Sequence, residues 1–298
     1  MSVKMAALNF CKLQASGNDF ILLDFLSRKS VNKISFKSLS KELCERRHSV
    51  GSDGLLVIEP SINADFKMRI FNSDGSEAEM CGNGARCAAF WAYLKMTKAF
   101  SKGKTYRLRF ETISGIIDSE VSPLKHQPSK YSILGEVRIC MRASSKIKLD
   151  LPVNVQGRKF KVNHIVAGVP HLVVFVEGLD KINVAVIGRR LRFDKQFQPE
   201  GANVNFVECV GPDTIKIRTY ERGVEAETFA CGTGSVAAAL IAKHKYSNFF
   251  LNDSVNVITA GKETLQVYSS SKERLKERVW LKGHVRLLFS AALGRLLN

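Results

Sequence analysis

Apolar and polar residues alternate along much of the chain, and twice the alternation gives way to a long run of small apolar residues. A period of two marks half-buried strands, and an apolar run of helical length marks a buried helix. Residues 10–26, FCKLQASGNDFILLDFL, read as a strand interrupted by a turn at Ser16–Asp19. Residues 53–59 and 66–71 read as strands, 105–121 as a strand pair turning at Gly115, and 160–177 as two runs around Gly168 and Pro170. Further strands are expected at 203–209, 214–220, 255–268 and 278–289, and a helix at 37–48. The two Ala-rich runs begin at Asn83 (ARCAAFWAYLKM) and Thr233 (GSVAAALIAKHK). Each is apolar nearly all round, so each is expected inside a sheet or barrel. Strands with one dominant helix per half make the fold class α+β. The absence of a regular β-α-β alternation argues against a dinucleotide-binding fold.

The two helices belong to an internal echo. Residues 68–89, MRIFNSDGSEAEMCGNGARCAA, and 217–238, IRTYERGVEAETFACGTGSVAA, both run from a strand through a polar turn to C-G-x-G and a small-residue helix. The copies lie about half a chain apart, which predicts two similar domains from a duplication, not a short-period solenoid. The boundary is expected within 122–132, SPLKHQPSKYS, where Pro, Ser and Lys cluster. The predicted domains are 1–125, carrying Cys81 and completed by a C-terminal strand at 276–298, and 126–275, carrying Cys231.

Composition narrows the class. With 298 residues, 45% hydrophobic and 24% charged, the chain can bury a full core without disulfide or metal staples. No apolar run is long enough to span a bilayer, and the N-terminus lacks a secretory pattern. Seven irregularly spaced Cys do not suggest a disulfide framework, so a cytoplasmic location is expected. The net charge of +17 is spread along the chain without interleaved aromatics, which favours a basic proteome or attraction of an anionic substrate over a nucleic-acid or anionic-membrane partner.

The chemistry is expected at the two C-G-x-G turns. Each puts a Cys at the start of a helix, where unpaired N–H groups and the positive end of the dipole can hold a carboxylate and favour a thiolate. One such Cys alone is as readily a small buried hydrophobe. Two copies in facing halves would aim two thiols at one space. That suits inversion of an amino-acid α-carbon, with a base on one face and an acid on the other, and requires no cofactor. Metal binding is disfavoured because Cys81 and Cys87 lie six apart with no C-x-x-C pair. A hydrolytic pairing of a Cys with His171 would leave the second Cys turn unexplained.

At these residues the sequence resembles the diaminopimelate epimerase family. The matching segments are ASGNDF (15–20), FNSDGSE (71–77), MCGNGARC (80–87), PH (170–171), GANVNF (201–206), YERGVEAET (220–228) and ACGTG (230–234). The resemblance implies two pseudo-symmetric α/β domains, each a mostly antiparallel sheet or barrel wrapped around a central helix, with the active site in the cleft between them. It implies interconversion of LL- and meso-diaminopimelate, on the route to lysine and peptidoglycan, without a cofactor or metal. By position, Cys81 and Cys231 match the acid/base thiols, and His171 and Glu221 match residues important for activity. Gly82, Asn83, Gly232 and Thr233 match the backbone donors around the reacting carboxylate. Asn18, Asn72, Asn203, Glu221 and Arg222 match substrate-binding positions. Taken singly, Asn18 and Asn72 read as turn residues, His171 as a core histidine and Glu221–Arg222 as a surface ion pair. Co-occurrence with the two Cys turns favours function.

Three departures stand out: Gly54 where an amide side chain is common, Val169 where Asn precedes the PH pair, and Phe289 where a Tyr linked with dimer contact is expected, which leaves a homodimer open. The alternative within the fold is a two-thiol proline or hydroxyproline racemase. The alternative from another class is a non-catalytic nucleic-acid-binding protein on the same scaffold. No membrane partner is expected.

Overall fold

A computed structural model describes residues 5–26, 34–97, 104–124, 127, 130, 132–144, 146–269 and 278–296. The chain divides into two compact units, Met1–Ile139 with His284–Asn298, and Cys140–Gly283. The first contains β1 (Met5–Ala15), β2 (Asn18–Asp24), α1 (Phe36–Cys44), β3 (Gly54–Glu59), β4 (Phe66–Asn72), β5 (Glu77–Ala78), α2 (Gly82–Met96), β6 (Tyr106–Thr112), β7 (Gly115–Pro123) and most of β8 (Ile133–Arg142). The second contains β9 (Lys148–Val155), β10 (Arg158–Ala167), β11 (Val169–Phe175), α3 (Val184–Arg192), β12 (Asn203–Gly211), β13 (Thr214–Glu221), β14 (Ala226–Thr228), α4 (Gly232–Lys245), β15 (Ser254–Ile258) and β16 (Thr264–Tyr268). The last strand, β17 (Arg278–Leu296), begins in the second unit and ends in the first. The sequence boundary sits at 125/126; the contacts part at 139/140, inside β8, and return to the first unit inside β17.

In the first unit β1 pairs antiparallel with β2, β2 parallel with β3, β3 antiparallel with β4, β4 parallel with β6, and β6 antiparallel with β7. β7 continues to β8, while β17 pairs with both β1 and β8, so the ladder closes on itself. The second unit repeats the order. β10 pairs antiparallel with β11, β11 parallel with β12, β12 antiparallel with β13, β13 parallel with β15, and β15 antiparallel with β16. β9 flanks β10 and β17 flanks β16. Each unit is thus a mostly antiparallel sheet wrapped around one helix.

The helices fit the space that the strands leave. α2 lies against β1, β2, β3, β4, β6 and β7, and α4 against the corresponding β10, β11, β12, β13, β15 and β16. Every residue of α2 from Gly82 to Tyr93 is buried, so the helix has no solvent face for polar residues to occupy. Small side chains such as Ala85, Ala88, Ala89 and Ala92, and Ala237, Ala238, Ala239 and Ala242, let surrounding strands approach the axis closely. The other two helices are one-sided: α1 packs on β3 and β4, α3 on β12 and β13.

The expected elements are present with shifted ends. The turn expected over Ser16–Asp19 narrows to Ser16–Gly17, both at positive φ (53° and 87°), and Asn18 already begins β2. The region 255–268 is two strands parted by a turn at 259–263, and the last strand extends past 289 to Leu296. β8, β9 and α3 have no counterpart in the sequence reading.

Candidate active site

Cys81 and Cys231 cap the two buried helices in the same way. Each has extended backbone angles (φ −142°, ψ 117° and φ −115°, ψ 112°) and is followed at once by the first helical glycine. In each, the sulfur accepts the N–H of the third helical residue, Gly84 or Gly234, at 3.4 Å. This is the place Ser, Thr or Asp normally takes at a helix start. A cap made of sulfur sets the thiol in the field of the first-turn N–H groups, where negative charge is favoured. Both Cys carbonyls also accept the first intrahelical bond, from Ala85 at 2.8 Å and Ser235 at 2.9 Å.

In the first unit the start of α2 is tied to the β1–β2 turn. The Asn83 amide donates to Asn18 Oδ1, and Arg86, fully buried, donates to Asn83 Oδ1 and to Ser16 Oγ at 2.8 Å each. Asn18 Nδ2 donates to Asp53 at 3.2 Å, and Arg46 joins Asp53 to Asp19. Burial acts to raise the Asp19 pKa, but hydrogen bonds and charge from Arg46 and Lys12 outweigh it and hold the carboxyl below its usual range. Asn18, Asn83 and Cys81 therefore share one end of this barrel. Asn72 closes β4 opposite Gly54 and donates to Ser76 at 2.9 Å. Gly54 has a steric reason: a Cβ there would stand 2.9 Å from the Phe71 carbonyl oxygen, with the Phe20 ring 3.5 Å away. Asp53, Arg86 and Ser16 were not picked out from the sequence, because only the fold brings them under the helix start.

In the second unit His171 and Asn203 are register partners in the parallel β11–β12 ladder. Asn203 Oδ1 accepts the backbone N–H of Arg222 at 2.7 Å, and the Arg222 guanidinium donates to the Glu200 carbonyl at 3.0 Å. Glu221 ends β13, with Thr228 Oγ1 donating to it at 2.9 Å. Burial raises the Glu221 pKa, and the Thr228 hydroxyl offsets part of the rise. Thr233 Oγ1 lies 3.3 Å from Cys231 Sγ, and its methyl faces Gly168 in the β10–β11 turn. So His171, Asn203, Glu221, Arg222, Cys231, Gly232 and Thr233 belong to one unit, and Asn18, Asn72, Cys81, Gly82 and Asn83 to the other. Val169 opens β11 and Phe289 is half exposed, with its ring edge-on to Phe10 at 6.1 Å.

His171 is fully buried, and its pKa falls to about 3, mainly through burial and then through the charges of Arg222 and His164. Asn205, two positions beyond Asn203 on the same face of β12, contacts it at 3.2 Å. Sequence reasoning missed Asn205, although two Asn with period-two spacing in an otherwise apolar strand were a usable signal.

The chain matches the family model described as Diaminopimelate epimerase over residues 10–139 and 164–285. It is 42% identical over 294 residues to a diaminopimelate epimerase of Aquifex aeolicus, covering 96% of this chain and 98% of that one. It is 41% identical over 255 residues to a diaminopimelate epimerase of Archaeoglobus fulgidus, covering 85% and 86%. Among solved structures, a phenazine biosynthesis protein of the PhzF family from Bacillus anthracis shares the fold at a TM-score of 0.70 with 15% identity, over 97% of this chain and 99% of that one. Matched by the family model over both ranges and by a relative along nearly its whole length, the chain belongs to the diaminopimelate epimerase family.

Proposed function

We propose that the protein interconverts LL- and meso-diaminopimelate without a cofactor, with Cys81 and Cys231 as the acid/base pair. The observation that supports this most directly is the repeated cap: two cysteines, one per unit, each accepting the N–H of a glycine three residues on, at the start of a buried helix. A thiolate takes the α-proton from one face of the carbon, and the other thiol returns a proton to the opposite face. The electron pair left on the carbon spreads into the substrate carboxylate, which first-turn N–H groups at Gly82, Asn83, Gly232 and Thr233 stabilise. In the reverse direction the two sulfurs exchange roles. Arg222 has the fork geometry to grip a carboxylate at the distal end of the substrate, and Asn18, Asn72, Asn203 and Glu221 supply polar contacts. The alternative substrates proline and hydroxyproline offer no second zwitterionic end for Glu221 and Arg222. The activity belongs to lysine and cell-wall precursor synthesis, so we place the protein in the cytoplasm.

The test is incubation of the purified protein with LL-diaminopimelate in deuterated water, with no cofactor added and proton NMR as the readout. Meso product should appear with solvent deuterium at one α-carbon. Cys81→Ala and Cys231→Ala should each lower inversion to the detection limit while remaining folded. Wild-type protein that is folded yet neither inverts nor exchanges would overturn the proposal.

A further inference from the structure

Register relates the two units position by position. Phe20 pairs with Gly54 as His171 pairs with Asn203, and Leu56 pairs with Ile70 as Asn205 pairs with Thr219. The same core positions are therefore Phe20, Leu56 and Ile70 in one unit and His171, Asn205 and Thr219 in the other. All six are at least nine-tenths buried. In the first unit the apolar pair touches the start of α2: a Cβ on Gly84 would lie 3.1 Å from both Leu56 and Ile70. In the second, a Cβ on Gly234 would run into the Asn205 carboxamide oxygen, beside the Cys231 cap. Burying three polar side chains where the apolar trio already packs costs stability and needs compensation.

Their hydrogen bonds leave one arrangement. The Leu172 carbonyl can only accept, and it takes a bond from Asn205 Nδ2 at 2.9 Å. That fixes the carboxamide, whose oxygen accepts from Thr219 Oγ1 at 3.0 Å. The remaining N–H of Nδ2 points to His171 Nδ1 at 3.2 Å, which must then be the unprotonated nitrogen. The proton is left on Nε2, and that atom is buried with no hydrogen-bond partner among the described residues. A buried donor left open in this way calls for an acceptor that arrives from outside.

We propose that Asn205 and Thr219 are positioning residues that lock His171 in the neutral Nε2–H tautomer, so that the imidazole serves as a fixed hydrogen-bond donor and not as a base. This rests on the epimerase reading, in which a bound amino acid brings the acceptor as a carboxylate oxygen. The ring gains and loses no proton during turnover; proton transfer stays with the thiols. Its Nδ1 is already occupied by Asn205, so no lone pair is left to accept one. The charged groups that act on the ring are Arg222 and His164, and both disfavour imidazolium.

Two measurements decide the matter. Nitrogen-15 NMR of histidine-labelled, substrate-free protein reads the tautomer directly, and the His171 signals among the six histidines are assigned by their loss in His171→Gln. Protonated Nε2 and bare Nδ1, unchanged from about pH 5 to 8, are expected; protonated Nδ1, or a ring that titrates in that range, overturns the proposal. The second measurement is kinetic. Asn205→Asp places an acceptor at Nδ1, so it should move the proton to Nδ1 and lower kcat by about 100-fold with little change in KM, because a histidine held in the wrong tautomer loses most of its function. Thr219→Ser, which keeps the hydroxyl, should stay within about 3-fold of wild type, and Thr219→Val should fall by about 10-fold. A folded Asn205→Asp with flipped tautomer and wild-type kcat overturns the proposal, as does equal activity of Thr219→Ser and Thr219→Val. The NMR result does not depend on the substrate. Absence of diaminopimelate inversion would sink the epimerase reading alone, and the wrong tautomer would sink this proposal alone.

Discussion

At the third position of each central helix, the room for a side chain is set by distance and not by backbone angle. At Gly84 an added methyl meets the side-chain ends of Ile70 and Leu56 at 3.1 Å, and these can shift. At Gly234 it meets the Asn205 carboxamide, held by three hydrogen bonds. Gly84→Ala should thus cost about 1 kcal/mol or less, since alanine's helix preference offsets the crowding. Gly234→Ala should cost about 1–3 kcal/mol by overpacking and also lower activity. Urea unfolding of both variants checks this, and equal stabilities would contradict it. His171 makes a pH prediction. In the unfolded chain its imidazole gains a proton below about 6.5, whereas in the folded chain it stays neutral down to about 3. The unfolded state binds more protons across that window, so the contribution is complete above it and lost as pH falls through it. Glu221, with its raised pKa, works in the opposite sense, and comparison with His171→Gln removes its effect. The unfolding free energy of wild type relative to His171→Gln should fall with acidification by up to about 1.4 kcal/mol per pH unit below pH 6.5 and be flat above it. A difference that does not vary with pH would show that the buried ring is not held neutral.

At the scale of the element, α3 shows how a short helix fixes a functional strand. Its Gly188 is buried against Tyr220, and a Cβ there would lie 2.5 Å from the Tyr220 Cβ, an atom fixed to the β13 backbone. Gly188→Ala should therefore cost about 1–3 kcal/mol despite the better helix former, and it should lower turnover by displacing the strand end that carries Glu221. Thermal unfolding and initial rates check both parts; an unshifted midpoint would refute the packing argument. This helix was not legible in the sequence because only Val184, Gly188 and Leu191 are buried, with Ile187 packed at their edge, and one of the buried three has no side chain to mark the face. β9 escaped because Pro152 interrupts it and most of its side chains stay at least partly exposed. β8 alternates clearly from Val137 to Ile139 but follows the polar stretch taken as a boundary. The central helices were legible because burial on all sides forces an all-apolar run that few other settings tolerate. In the site, the Cys caps stood out as motifs, and His171 only through the family resemblance. Asn205 and Thr219 acquire meaning only when strand register sets them beside His171, and no local pattern reports register.

The whole molecule is one ladder order used twice, kept even in detail: Arg69 pairs with Glu77 at 2.7 Å as Arg218 pairs with Glu227 at 2.7 Å. The copies differ in polarity at the rungs held by Phe20, Leu56 and Ile70 in one and His171, Asn205 and Thr219 in the other. β17 serves both copies. Its first residues pair with β16, and its later residues, from Arg286 to Leu296, pair with β1. A chain ending at residue 283 should keep the β16 pairing but expose the edge of β1, so that limited proteolysis cuts the first unit selectively and activity is lost. Wild-type protease resistance in that truncation would refute this assignment. The order of synthesis gives the shared strand a further consequence. β1 is made long before the β17 strand that pairs with it, so the N-terminal barrel stays unsealed while the chain between them is synthesised, its edge open to wrong partners until β17 has emerged. A nonsense mutation early in β17 would spare both cysteines and every substrate-binding residue named here, and still leave the first unit unfinished.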